Sequence, residues 1–266
     1  MRDIDLFQLA LGLTPPWQVS SSEFHPETKR LDIHIDFARG STFSCPRCQK
    51  PGLKAYDTLS KTWRHLNFFQ HEAYLTARVA RVECDQCGVA LVSVPWARAG
   101  SGFTLLFEAM IMTFAKSMTV KAIAAIVNEH DTRLWRIIDH YVDKAREKAD
   151  HSHVTAVGMD ETSSSRGHNY VSVFMDLKQP RVLFATDGKG SSTLERFKED
   201  LQAHGGDPRQ VPRVPAVAHE APRERGDGHR ALPLPVDLRE ARAQRRERRP
   251  AIGDVHRAAA VHDALQ

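Results

Sequence analysis

Cysteine is scarce in this chain. There are four in 266 residues, and nothing in the sequence suggests an oxidising compartment. The start, Met1 to Phe7, lacks the basic stretch and apolar run of a secretory leader. A long hydrophobic run is also missing. The longest, residues 103–115, is interrupted by Thr104, Glu108 and Thr113 and is too short to span a bilayer. These absences point to a soluble, cytoplasmic protein with no membrane partner. A strong excess of one charge is missing too. The net charge of +4 and pI near 8.9 are compatible with nucleic acid without demanding it.

A further absence is local. Residues 211–266 contain no Lys, Phe, Trp, Tyr, Ser, Thr, Asn, Cys or Met, while 11 Arg, 11 Ala and 6 Pro fill much of the 56 positions. With so few bulky apolar side chains the segment cannot offset the entropy of ordering. It reads either as a natural basic, disordered tail or as a GC-rich gene translated out of frame.

What is present is more specific. All four cysteines fall in two CxxC pairs, Cys45 with Cys48 and Cys84 with Cys87. Two such knuckles are what a tetrahedral structural Zn²⁺ site requires; two disulfides or four unrelated buried thiols are the alternative. The long interval between them leaves room for strands at residues 61–66 and 74–84. Ahead of the knuckles, residues 4–13 read as a short helix. Residues 30–37 alternate apolar and polar as a half-buried strand does, with Leu31, Ile33, Ile35 and Phe37 on one face.

After a connector at residues 94–98 and a helix over residues 103–115 comes a candidate helix-turn-helix. Thr119 is placed to cap a helix carrying Val120, Ile123, Ala124 and Val127. Residues 128–131 form the turn, with Asp131 as the next cap. The second helix sets Leu134, Ile137, Ile138, Tyr141 and Val142 on one face and Arg133 and Arg136 on the other, an arrangement that suits entry into a major groove; an ordinary helical hairpin with solvated arginines is the alternative. The pattern then changes to strands: residues 154–160, ending on Asp160, a polar turn over 161–168, then strands at 170–176 and 181–186. A helix capped by Ser192 runs to about His204 and stops at Gly205 and Gly206. Trp63 reads as packing rather than as a base-stacking residue, and no histidine is assigned as a ligand.

Taken in this order, the CxxC pairs, the helix-turn-helix, the stretch around Gly158, Asp160 and His168, and the run His204 to Pro208 resemble insertion-sequence transposases of the ISL3 group over residues 1–210. The resemblance implies an α+β multi-domain chain. Its parts are a zinc ribbon with its N-terminal segment (1–97), a helix-turn-helix region (98–150), the N-terminal part of an RNase-H-like DDE core (151–210), and the tail (211–266). It implies DNA as partner, at the terminal inverted repeats of the element, and leaves room for a homo-oligomer. It also implies structural Zn²⁺ on Cys45, Cys48, Cys84 and Cys87, and Mg²⁺ in the intact core with Asp160 as the first catalytic carboxylate. Hard cations take oxygen ligands, and two of them would activate the nucleophile and stabilise the leaving oxygen.

The family pattern expects a second Asp just beyond Pro208 and a Glu on a later helix. Residues 211–266 offer no apolar strand ending in Asp, and Asp227, Asp237, Glu240 and Glu247 lie in Gly-, Arg- and Pro-rich surroundings. The expectation is therefore a truncated transposase, inactive alone. The alternative is a non-enzymatic zinc-ribbon and helix-turn-helix DNA-binding regulator, or a competitor of the intact transposase.

Overall fold

The structure is a computed structural model that describes residues 3–165, 169–179 and 181–210. The predicted tail, and His168 of the 161–168 stretch, lie outside the described residues. The chain divides into two compact units, residues 1–110 and 111–266.

The first unit is built on one sheet. Helix α1 (Asp3–Ala10) precedes strands β1 (Trp17–His25), β2 (Arg30–Phe37), β3 (Thr42–Phe43), β4 (Leu53–Arg64), β5 (Glu72–Cys84) and β6 (Gly88–Leu91). The order is β1-β2-β5-β4-β3, with β6 also pairing β5. Strand β2 alternates as its sequence predicts, burying Leu31, Ile33, Ile35 and Phe37. Pairing β2 in parallel with β5 sets Ile33 beside Leu75 and Ile35 beside Ala77. Strand β5 is thus shared by the N-terminal segment and the ribbon, which form one sheet. Its length explains this. At 13 residues it is long enough for β4 to pair along most of one edge while β2 and β6 divide the other. Strand β4 begins well before residue 61, where the sequence reading starts it.

The core collects Phe7, Trp17, Val19, the β2 and β5 faces, Trp63 and Trp96. Trp17 meets Trp96 edge-on at 5.1 Å and Phe37 at 5.7 Å, and Trp63 meets Trp96 at 5.6 Å. Trp63 is therefore a packing residue, and burying each such ring contributes on the order of 2 kcal/mol.

Helix α2 (Leu105–Ala115) crosses the boundary between the units. The second unit continues with α3 (Val120–Val127), α4 (Asp131–Arg146), antiparallel strands β7 (Val157–Ser165), β8 (Asn169–Asp176) and β9 (Arg181–Asp187), and α5 (Ser191–Ala203). One face of this three-stranded sheet buries Val157, Phe174 and Leu183 against Phe197 and Leu201 of α5. The Phe174 and Phe197 rings stack at 4.2 Å. The other face gathers Val171, Val173 and Ala185.

In the second unit, boundaries around the candidate site also differ from expectation. Strand β7 runs on past Asp160 to Ser165, because residues 161–165 pair with the start of β8, Glu161 opposite Ser172 and Ser163 opposite Tyr170. Asp160 is therefore a mid-strand residue, not a strand end. The cap of α4 is His130, whose ring accepts from Thr132 N, and Asp131 is the first helical residue. The cap of α5 is Gly190, at φ 84° and with no capping side chain, so Ser192 lies inside the helix. The far end behaves as read: Gly205 takes φ 81°, and Gly206 N donates to Leu201 O at 2.9 Å.

Candidate nucleic-acid interface and metal centre

The four cysteines converge although 35 residues separate the knuckles. Their sulfur atoms all lie within 4.8 Å of one another, and Cys48 Sγ is 3.6 Å from Cys84 Sγ. Four sulfurs about 2.3 Å from a tetrahedral Zn²⁺ stand about 3.8 Å apart, so this donor set fits the ion. Each knuckle is a tight turn. Gln49 N donates to Cys45 O at 2.9 Å, with Gln49 at φ 63°, and Gly88, opposite Cys84, takes φ 71°. Two contacts tie the knuckles together: Arg47 Nη1 donates to Cys87 O, and Lys50 Nζ pairs with Asp85, both at 2.6 Å.

The Cys45 thiol is lowered to about 6, chiefly because the backbone N–H groups of Cys48 and Arg47 favour its thiolate. The Cys87 thiol is raised to about 12 by its hydrogen bond with Cys48 and by desolvation. A cation at the centre would favour the thiolate of all four.

The helix-turn-helix forms where its spacing predicts. Thr119 Oγ1 accepts from Ala122 N at 3.3 Å, and Asn128 closes α3 in the left-handed conformation at φ 54°. Ile123 and Val127 of α3, and Leu134, Ile137, Ile138 and Val142 of α4, are buried. Tyr141 is only partly so. Arg133 and Arg136 are exposed on α4, and Arg133 Nη1 pairs at 2.5 Å with Glu129 in the turn.

In the second sheet Asp160 is exposed and stands opposite Val173. Its neighbour Glu161 does different work, accepting from Gly190 N at 2.8 Å at the start of α5. Among the described residues, no group of three potential metal ligands includes Asp160. The geometry does bring together one cluster that sequence reading missed: His151, Asp200 and His204. Only the i, i+4 spacing of Asp200 and His204 signalled it; nothing in the sequence ties His151 to them.

A ribbon with a four-cysteine donor set and a helix pair with arginines on its exposed face are the marks of a DNA-binding protein, followed here by a sheet that carries Asp160. Three family models match without overlap and in chain order. They are the zinc-finger of transposase IS204/IS1001/IS1096/IS1165 at residues 41–87, the helix-turn-helix domain of transposase family ISL3 at 92–142, and a transposase domain of that family at 157–216. Across these three segments the chain is similar to the ISL3 transposases of insertion sequences.

It is 27% identical over 215 residues to the transposase of insertion sequence element IS1557 from two strains of Mycobacterium tuberculosis, covering 76% of this chain and 47% of those proteins. To the IS1001 transposase of Bordetella parapertussis it is 27% identical over 183 residues, covering 65% of this chain and 42% of that protein. The chain thus spans about half the length of the curated relatives it matches. No solved structure matches it. No helix among the described residues is long and apolar enough to cross a membrane.

Proposed function

We propose that this chain recognises the terminal inverted repeats of its insertion sequence and does not by itself cut them. Zn²⁺ on Cys45, Cys48, Cys84 and Cys87 stiffens the ribbon, and α4 offers Arg133 and Arg136 to the major groove. The reading rests on one observation above all: an α4 whose apolar face is buried and whose arginines stay exposed, within a matched ISL3 helix-turn-helix. Domain limits of 1–97, 98–150, 151–210 and 211–266 are part of the same reading. The ion pair with Glu129 holds Arg133 near the helix start, where first-turn residues of a recognition helix approach bases.

Asp160 is the counterpart of the first DDE carboxylate. In an intact core, Mg²⁺ would supply Lewis-acid stabilisation of the transferred phosphate. The described residues do not assemble that site around Asp160, so no catalytic step is derived through it. Binding without cutting also suits a regulator or competitor of the intact transposase, a role favoured by the isolation of Asp160 from other clustered ligands among the described residues.

The test is footprinting of the full chain on the element's ends. Protection should be confined to the terminal repeats. Arg133→Ala and Arg136→Ala should each weaken it by roughly tenfold, the size expected when a base or phosphate contact worth about 1–3 kcal/mol is lost. Sequence-blind binding that only follows salt would refute specific recognition. Mg²⁺-dependent cleavage lost in Asp160→Ala would refute the claim that the chain does not cut.

A further inference from the structure

Near the end of α5, Asp200 and His204 stand one turn apart and share a helix face. His151, from the segment between α4 and β7, is held against them by its own backbone: His151 N donates to His204 O at 2.8 Å. The approach is close enough that a Cβ on Gly206 would sit 3.1 Å from the His151 carbonyl oxygen. One nitrogen from each histidine and one Asp200 oxygen lie within 4.8 Å of one another.

The hydrogen bonding of this group is unbalanced. His151 is 4% exposed, and neither of its ring nitrogens has a hydrogen-bond partner. Asp200 gives Oδ1 to Arg146, while its buried Oδ2 has no hydrogen bond. Leaving a buried polar group unsatisfied costs about 1–3 kcal/mol, and such groups call for an explanation such as an ion.

We propose that His151, Asp200 and His204 form a second metal site, for a borderline divalent cation such as Zn²⁺. Two imidazoles and one carboxylate suit Zn²⁺ better than Mg²⁺ or Ca²⁺, which prefer all-oxygen sets. Oδ2 of Asp200 binds the ion while Oδ1 stays with Arg146, whose guanidinium also reaches Leu183 O at 3.2 Å. His204 Nε2 keeps its 3.1 Å bond to Arg146 O, the kind of outer bond that orients a ligating imidazole. His204 Nδ1 exchanges its 2.7 Å bond to Asp200 O for the metal. Tetrahedral N and O ligands stand about 3.4 Å apart, so binding draws the three groups together by up to about 1.4 Å from the 4.8 Å limit. Burial and the nearby His204 and Arg181 push the His151 pKa down, which leaves its ring neutral and able to ligate. The bound ion would fasten the segment that leaves α4 to the end of α5.

The full chain, stripped of metal under reducing conditions, is titrated with Zn²⁺ and its tightly bound metal counted after gel filtration. Two equivalents are expected for the wild type, one for His151→Ala, and one for Cys84→Ser. His151 makes no side-chain hydrogen bond, so its replacement should leave the fold intact. In a parallel titration with Co²⁺, the second equivalent should add no thiolate charge-transfer absorption. A single equivalent in the wild type overturns the proposal. So does a second equivalent that survives both His151→Ala and Asp200→Asn, or one that reports thiolate ligation.

Discussion

Arg64 is the largest side chain fully buried in the first unit, and its replacement tests whether a guanidinium can organise one end of a hairpin. Its Nη1 donates to His65 O and, at 3.3 Å, to Ala73 O; its Nη2 donates to Asn67 Oδ1 at 2.6 Å. Nε lies 3.9 Å from Glu72 Oε2, and the guanidinium carbon sits 5.2 Å from the Tyr74 ring centre and 5.4 Å from that of Phe107. The backbone of the same residue bonds to Gly102 O and Thr104 N at 2.9 and 3.0 Å.

Arg64→Ala removes the charge from a site where Glu72, two carbonyls and Asn67 face it. The expected loss is about 3–5 kcal/mol, from buried acceptors left unpaired together with the cavity left by a large side chain. Arg64→Met removes the same charge but fills much of the volume, so without the cavity its loss should be nearer about 1–3 kcal/mol. Urea unfolding of the full chain, followed by tryptophan emission in a Trp135→Phe background, reads the first unit through Trp17, Trp63 and Trp96. A loss below about 1 kcal/mol for Arg64→Ala, or an equal loss for both variants, would refute the reasoning.

Two further outcomes are expected. His65 donates to or accepts from Thr104 Oγ1 through Nδ1 at 2.9 Å, and burial, with Arg64 beside it, depresses its pKa from 6.5 to about 4. Between those values the unfolded chain binds the extra proton. Stability is therefore complete above about pH 6.5 and falls as pH drops toward 4, by about 3 kcal/mol in all; urea midpoints at pH 7.5 and 4.5 should converge in His65→Gln. Removing metal from the wild type, or substituting Cys84→Ser, should lower the thermal midpoint of the first unit, and a midpoint indifferent to both would count against a structural ion in the ribbon.

Legibility in the sequence followed the range of the physics. Strand β2 and helices α3 and α4 were readable because their signals are local: strict alternation at Leu31 to Phe37, and apolar spacing with a Thr119 cap. The CxxC pairs were readable because four thiols at that spacing have few other uses. Parallel pairing of β2 with β5 was not readable, since it joins segments about 40 residues apart and no local pattern records a partner. The helix caps were misplaced by one or two residues because His130 and Gly190 do work usually given to Asp or Ser. Asp160 stands out in the sequence only through resemblance, and its mid-strand position depends on a hairpin whose Ser- and Thr-rich side looks like a turn. Arg64 and the His151 cluster were invisible because burial is set by the whole fold: Arg64 turns inward onto acceptors of His65, Asn67 and Ala73, and His151 is carried onto His204 from a distant part of the chain.

The hairpin of β4 and β5 pairs from Ala55 with Val82 to Arg64 with Tyr74, a length of about 30 Å. The four-cysteine cluster closes one extremity and a guanidinium the other, so two chemically unrelated fasteners hold a single ladder. Fraying from the two tips is then under separate control. Chelation should speed amide exchange around Cys84 and leave the amides near Tyr74 slow, whereas loss of the arginine should do the reverse. Cellular zinc supply could thus loosen the knuckle end of the ribbon without erasing the strand register that positions it.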